Sequence, residues 1–202
     1  MRFSLALQSS SVTGTRIAEI LSAATRLPLL AVPLFLLVGA AAAGWRGTLW
    51  ALLCLALTSG LSLVYLVYLA RSGRVRNPLK IPQEERVRPL RVVAGLHVGA
   101  WVIVTLLGAP VPLRAVLLSY ALATLVFAAL TPFVKISLHA AGISGALICL
   151  LYVFGPWGMI FAPVLPAVWW ARRTLGRHTH AELALGALAG GGLTWISFQL
   201  VA

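Results

Sequence analysis

Seven apolar segments and three polar segments divide most of the chain. Because a helix needs about 20 apolar residues to cross a bilayer, the apolar segments predict an all-α, polytopic transmembrane bundle of six to seven helices. The number is six if one of the short segments enters the bilayer without crossing it. The apolar segments comprise residues 27–44, 48–70, 92–109, 112–133, 140–154, 159–170 and 180–200. The first, second and third polar segments are residues 71–91, 133–139 and 171–182.

The polar segments follow the second, fourth and sixth apolar segments. Even numbers of crossings separate them, so we expect all three on one side of the membrane. Of the 16 Lys and Arg residues, only Arg46 and Arg114 fall on the opposite side. The positive-inside rule therefore predicts a multi-pass protein of the plasma, or inner, membrane with its polar segments in the cytoplasm.

Composition supports a membrane protein and narrows its partners. The chain of 202 residues is 60% hydrophobic with a mean hydropathy of +0.97, whereas soluble domains contain about 45–50% apolar residues. A net charge of +12 suits anionic lipid headgroups. Nucleic acid is excluded as a partner because the basic residues lie in short loops rather than on one soluble face. Cys54 and Cys149 fall within apolar segments, where they predict neither a disulfide nor a metal site.

The chain divides into an N-terminal segment, residues 1–26, and a single transmembrane domain, residues 27–202. The N-terminal segment lacks the apolar core and cleavage site of a signal peptide, so it is interpreted as an interfacial amphipathic segment. In the last apolar segment, Gly186 and Gly190 form a GxxxG arrangement. This arrangement predicts close helix packing within the chain ahead of dimerisation, and it leaves a homo-oligomer open.

The third polar segment carries the clearest chemistry. Glu182 follows His178 by four residues, a spacing that puts a carboxylate beside the imidazole if a helix begins near His178, and Arg172 lies six residues earlier. With His139 in the second polar segment, these groups suit metal-free phosphoryl transfer. One histidine attacks phosphorus, the other protonates the leaving oxygen, and the cations bind the phosphate. One nearby Glu and no Asp make a poor cage for a hard cation, so we expect no metal or other cofactor.

Three short motifs, one in each polar segment, carry a family resemblance. The third reads A-R-x5-H-x3-E at residues 171–182, and the second reads I-S-L-H at residues 136–139. The first is looser, because seven residues separate Lys80 from Arg88, and Arg86 is a rival for the arginine role. Together they resemble K-x6-R-P, P-S-G-H and S-R-x5-H-x3-D, the signature of the type 2 phosphatidic-acid phosphatase superfamily of membrane lipid phosphatases. The departures indicate a divergent member.

The resemblance implies a helical-bundle phosphatase that works through a phosphohistidine intermediate. His178 would be the nucleophile, Glu182 would hold and polarise it, and His139 would be the general acid. The implied phosphate-binding residues are Lys80, Arg88 or its rival Arg86, Ser137 and Arg172.

Four other residues are interpreted from their surroundings in the sequence. Lys135 precedes the second motif and either joins the phosphate-binding group or anchors the chain at the interface. Arg173 and Arg177 are interpreted as contacts to lipid headgroups. His97 lies inside an apolar segment, where we expect a neutral, hydrogen-bonded core histidine.

The sequence thus predicts a metal-independent phosphatase for a lipid phosphate or an isoprenoid (di)phosphate. The hydrocarbon chain of such a substrate would lie between helices while its head reaches the polar segments. Two alternatives stay open. One is a catalytically weak lipid-binding or scaffolding membrane protein with the same fold, and the other is a lipid phosphotransferase that passes the phosphoryl group to an acceptor other than water.

Overall fold

A computed structural model describes residues 2–75 and 83–201, with side chains described for residues 13–75 and 85–201. The described chain is all-helical, as the apolar pattern predicts, and contains no strand. A π-helical turn (Ala56–Gly60) and a 3-10 helix (Gly155–Phe161) add to the α-helices. The α-helices are α1 (Arg2–Ala24), α2 (Leu27–Leu55), α3 (Leu61–Arg71), α4 (Gln83–Leu106), α5 (Val111–Leu130), α6 (Leu138–Phe154), α7 (Val164–Thr174) and α8 (His180–Val201).

Five helical stretches in the described part of the chain are long and apolar enough to cross a membrane. Their outer surfaces carry exposed apolar side chains such as Leu106, Leu188 and Leu200. An apolar surface of this extent suits lipid rather than water, which supports a membrane protein. The stretches are Leu27–Arg71, Glu85–Leu106, Val111–Leu130, Leu138–Phe161 and His180–Val201.

The first of these stretches, 45 residues long, folds back on itself within α2. Ala43 and Gly44 leave the helical region, and Gly44 takes a φ of 56° that glycine adopts without strain. Gly39 and Gly47 then lie face to face, since a Cβ atom on Gly47 would overlap the carbonyl oxygen of Gly39. In a continuous helix these two positions would be about 12 Å apart along the axis. The stretch is therefore a hairpin of two antiparallel arms, which correspond to the predicted segments 27–44 and 48–70.

Two elements differ from the sequence prediction. The prolines of the first polar segment favour a loop or a broken helix, but α4 begins at Gln83 and continues through Pro89. The short apolar segment 159–170 is split between the 3-10 helix and α7. Because α7 has 11 residues, it is about 16 Å long and cannot cross a bilayer by itself.

The contact between α6 and α8 is the most extensive helix packing in the described bundle. A Cβ atom on Gly186 would meet the carbonyl of Ser137, and one on Gly190 would meet the backbone of Ala141. The two glycines therefore pack within the chain, which confirms the intramolecular interpretation of the GxxxG arrangement. This packing brings the start of α6 and the start of α8 to the same end of the bundle. At that end, α1 lies against α7.

Candidate functional site

The second and third polar segments are joined directly. The Ser137 N–H donates a hydrogen bond to the carbonyl oxygen of Glu182 at 3.2 Å, and Lys135 Nζ lies 3.6 Å from Glu182 Oε2. His139 follows on the first turn of α6, and His178 comes just before α8. The two predicted catalytic histidines therefore lie at the same end of the bundle, as the parity of the apolar segments predicts.

A capping box at the start of α8 sets the geometry of His178. The Glu182 N–H donates to Thr179 Oγ1 at 3.2 Å, and the Thr179 N–H donates to Glu182 Oε2 at 3.2 Å. This reciprocal pair fixes the first turn of the helix. The same Oε2 accepts a hydrogen bond from His178 Nδ1 at 2.9 Å. His178 thus precedes the helix, and the carboxylate reaches back to it.

Two chemical consequences follow from this geometry. Because Nδ1 of His178 carries the donated hydrogen, Nε2 keeps a free lone pair, which is the state that a nucleophile needs. The capping box also favours Glu over Asp, since it requires a side chain that reaches back by a full turn. The motif that the third polar segment resembles has Asp at this position, and Glu suits the capping box seen here.

The environment of His178 keeps its imidazole neutral. Only 6% of the residue is exposed, and this burial is the main reason that its pKa is lowered from the ordinary value. The positive charges of Arg172 and Lys135 lower the pKa further, while the hydrogen bond and charge of Glu182 oppose them. His178 is therefore uncharged at neutral pH.

Arg172 and Arg177 converge on a residue that the motifs do not contain. Arg172 Nη1 donates to the Ser22 hydroxyl at 2.9 Å, and Arg177 Nη1 donates to the same oxygen at 3.3 Å. Burial, followed by the charges of Arg177 and Arg86, lowers the pKa of Arg172 to about 10, which leaves it charged at neutral pH. Its buried Nε has no hydrogen-bond partner within the described residues. This arrangement offers several donors to an anion.

His139 also contacts Ser22. Its Nε2 lies 3.1 Å from the Ser22 carbonyl oxygen. A carbonyl can only accept, so Nε2 carries a hydrogen in this contact. In this structure His139 therefore directs its N–H toward Ser22, and its role as the general acid stays a prediction.

Ser137 occupies a structural position. It is fully buried, and its hydroxyl caps α6 by accepting a hydrogen bond from the Ala140 N–H at 3.4 Å. This cap holds the turn that carries His139. A phosphate contact of its hydroxyl stays a prediction.

The first polar segment reaches the site through Arg86. Its charge lowers the pKa of Arg172, and it lines a small recess together with Lys135 and Leu138. Arg88, two residues further along α4, is exposed and does not line that recess. Lys80 lies outside the described residues. Of the two rival arginines, Arg86 is the one that the structure brings to the site.

A mostly apolar cavity of about 410 Å³ begins beside Arg86 and Leu138 and runs into the bundle. It follows matched lengths of three helices, each about 16 Å long at 1.5 Å per residue. His97 lies in its wall, with Nδ1 3.3 Å from Thr124 Oγ1, as expected for a hydrogen-bonded core histidine. The matched lengths are residues 86–97 of α4, 116–127 of α5 and 138–149 of α6.

Sequence reasoning missed Ser22 and the contacts that Arg173 and Arg177 make within the chain. Arg173 Nη1 donates to the His178 carbonyl at 3.0 Å, and its predicted contact to lipid headgroups stays a prediction. Arg177 touches Ser22 beside Arg172. A signal for Ser22 was present, because Ala18, Ser22 and Thr25 fall on one face of the amphipathic segment. A stripe of small residues indicates packing against protein rather than lipid or water.

Comparisons with protein-family models, curated proteins and solved structures find no match to this chain. The described residues contain no group of three His, Cys, Asp or Glu side chains arranged to hold a metal ion. The interpretation of the site therefore rests on the residues themselves and on the motif resemblance.

Proposed function

We propose that the protein is a metal-independent membrane phosphatase that hydrolyses a lipid phosphate or an isoprenoid (di)phosphate. One observation carries the proposal. A neutral, oriented histidine, held by Glu182 at 2.9 Å and close to the charges of Arg172 and Lys135, lies at the same end of the bundle as Arg86, which lines an apolar cavity. The arginines suit a phosphate, and the cavity suits a hydrocarbon chain. The combination therefore favours a substrate that has both parts.

In the first step, His178 Nε2 attacks phosphorus and the bond from phosphorus to the leaving oxygen breaks. His139, which enters this step as the imidazolium, a form that the bound phosphate dianion favours, gives its Nε2 proton to that oxygen and becomes the neutral imidazole. The lipid therefore leaves as an alcohol, or as a monophosphate from a diphosphate. Glu182 stabilises the positive charge that develops on the His178 ring. Arg172, Arg177 and Arg86 bind the phosphoryl oxygens, whose charge is spread over the transition state.

In the second step, water attacks the phosphohistidine. His139, now unprotonated, takes a proton from the water, and the bond between phosphorus and His178 breaks to release inorganic phosphate. The site returns to its starting protonation state. No metal ion is needed at either step, because fixed cations carry the charge stabilisation.

The cavity supports an apolar substrate chain inside the bundle. Its length of about 16 Å corresponds to about 13 bonded atoms, since an extended chain advances about 1.2 Å per atom. We place the site on the cytoplasmic side of a plasma, or inner, membrane, because nearly all Lys and Arg residues belong to that side. If the two arms of the α2 hairpin are counted separately, six to seven apolar segments form the bundle.

The test measures phosphate release from dioleoyl phosphatidate and farnesyl diphosphate, with EDTA present. We expect turnover by the wild type and none by His178→Gln. His180→Gln is the matched control, because His180 lies two residues from His178. Its hydrogen bond, accepted from Trp169 Nε1 at 2.9 Å, is with Trp169 rather than with Arg172 or Arg177.

Three outcomes would contradict the proposal. A wild-type protein that releases no phosphate from any lipid phosphate would be the lipid-binding or scaffolding protein. Phosphohistidine that turns over only when an alcohol or lipid acceptor is added would identify a phosphotransferase. Activity that EDTA removes and one divalent metal restores would refute the metal-free mechanism.

A further inference from the structure

Ser22 occupies the point where the donors of the site meet. Its hydroxyl accepts hydrogen bonds from Arg172 and Arg177, and its carbonyl accepts one from His139. Only 2% of the residue is exposed. Three of the groups assigned to substrate therefore contact α1 in this structure.

Ser22 is a poor match for the charges around it. Guanidinium groups bind anionic oxygen atoms more strongly than a neutral hydroxyl, and they do so with two donors at once. Two arginines share the single hydroxyl of Ser22, and the Nε of Arg172 is left without a partner in the described structure. A phosphate would supply several charged acceptors to the same donors.

We propose that α1 is an internal competitor of the substrate, with the two oxygen atoms of Ser22 occupying the phosphate position. The proposal rests on the proposed function in that the anion bound at this site is taken to be a phosphate. In the closed arrangement, His139 Nε2 is engaged by Ser22 and cannot reach a leaving group. Catalysis therefore requires α1 to withdraw, and this requirement makes Arg177 a phosphate-binding residue beside Arg172.

The packing of α1 suits a helix that can be displaced. Among the side chains described for residues 13–25, the buried ones are those of Ala18, Ser22 and Thr25, which are small or short and bury little apolar area. On the opposite face of α1, Ile17 and Ile20 are exposed at 52% and 69%, which suits lipid in the membrane interface. Two residues separate α1 from α2, and they form the link about which α1 would move.

Binding of inorganic phosphate to the full-length protein in detergent micelles tests the competition without requiring turnover. We expect Ser22→Ala to bind phosphate about tenfold more tightly than the wild type, because removing the hydroxyl that Arg172 and Arg177 share favours the open form by about this factor. Thr25→Ala is the matched control, since the Thr25 hydroxyl, one residue after α1, bonds only to the Leu21 carbonyl in the described structure. We expect no change in phosphate affinity for this variant.

A labelling experiment measures the movement of α1 independently. We expect a charged thiol reagent to alkylate Ser22→Cys slowly in buffer and several-fold faster with inorganic phosphate, because bound phosphate holds α1 away from the site. The native Cys54 and Cys149 are buried and add little background. Ile20→Cys, on the exposed face, is expected to react quickly with or without phosphate.

The two measurements separate this proposal from the proposed function. A Ser22→Ala protein that binds phosphate no more tightly than the wild type, or does not bind it at all, overturns the competition, and so does phosphate-independent labelling of Ser22→Cys. Both results leave the phosphatase intact if lipid phosphates are still hydrolysed. Conversely, tighter binding and faster labelling without any hydrolysis support the competition and contradict the phosphatase.

Discussion

His178 and His139 face the same site, but the chain holds them in different ways. His178 is bonded to Glu182, four residues away, through the carboxylate that also caps α8. His139 is bonded to Ser22, which is 117 residues away on α1. One histidine is therefore oriented by its own helix start, whereas the other depends on the position of α1. The difference suggests a fixed nucleophile and a proton donor whose availability can change.

The largest expected effect comes from the fixed histidine. We expect Glu182→Gln to reduce kcat by about 10³-fold, because the amide can donate to Nδ1 of His178 and favour the wrong tautomer. Gln still satisfies a capping box, so the melting temperature of the protein is expected to stay close to that of the wild type. Steady-state kinetics and thermal denaturation of both proteins check this. A large fall in melting temperature would show that Glu182 acts mainly as a cap.

A smaller effect is expected at the second histidine. We expect His139→Gln to reduce kcat by about 10²-fold on a lipid phosphate, since general acid catalysis contributes about 10²- to 10⁴-fold. The reduction should nearly disappear on p-nitrophenyl phosphate, whose leaving group needs no proton. Comparing kcat on the two substrates checks the role. An equal loss on both would assign His139 to binding instead.

Arg86 and Arg88 offer a matched pair for the contribution of the first polar segment. We expect Arg86→Ala to raise KM for a lipid phosphate about tenfold, which corresponds to one charged contact. Arg88→Ala should leave KM unchanged, because its side chain is exposed and lies away from the recess that Arg86 shares with Lys135. Kinetic measurements on both variants check the assignment, and the reverse order would favour Arg88, the arginine that a proline follows as in the first motif.

The smallest effect concerns the pH profile. The nucleophile must be neutral, and the pKa of His178 is lowered from 6.5, so activity should persist as pH falls through 6.5 and decline only below it. Lys135→Ala removes a charge that lowers this pKa, and its acid limb should therefore move to higher pH. Profiles of kcat/KM for both proteins check the direction. A limb that moves to lower pH would show that Lys135 does not act on His178 in this way.

The sequence predicts much of the fold for a clear reason. Apolar length is a local property, so the helical segments and their parity follow from counting residues, and even the α2 hairpin appears as a break between two segments. The pairing of His178 with Glu182 is also local. These features need no knowledge of which helices touch.

The parts that sequence reasoning missed depend on tertiary packing. Ser22 contacts Arg172 and Arg177 across 150 and 155 residues, and no spacing rule connects such positions. The Arg-Pro pair of the first motif favours Arg88, which Pro89 follows, over Arg86, but residues two apart on a helix point in different directions. Only the rotation of α4 against the bundle decides which one reaches the site. Lys80 remains a prediction, because it lies outside the described residues.

In the proposed mechanism, the capping box of α8 links the orientation of the His178 nucleophile to the local opening of the helix end. Helix termini fray with small free energies compared with global unfolding, and each opening of this first turn would release Glu182 from both Thr179 and His178. The fraction of time that the turn stays closed then sets the fraction of molecules with an oriented nucleophile. The rates of amide hydrogen exchange at Thr179 and Glu182 would thus report how often this turn opens and releases His178.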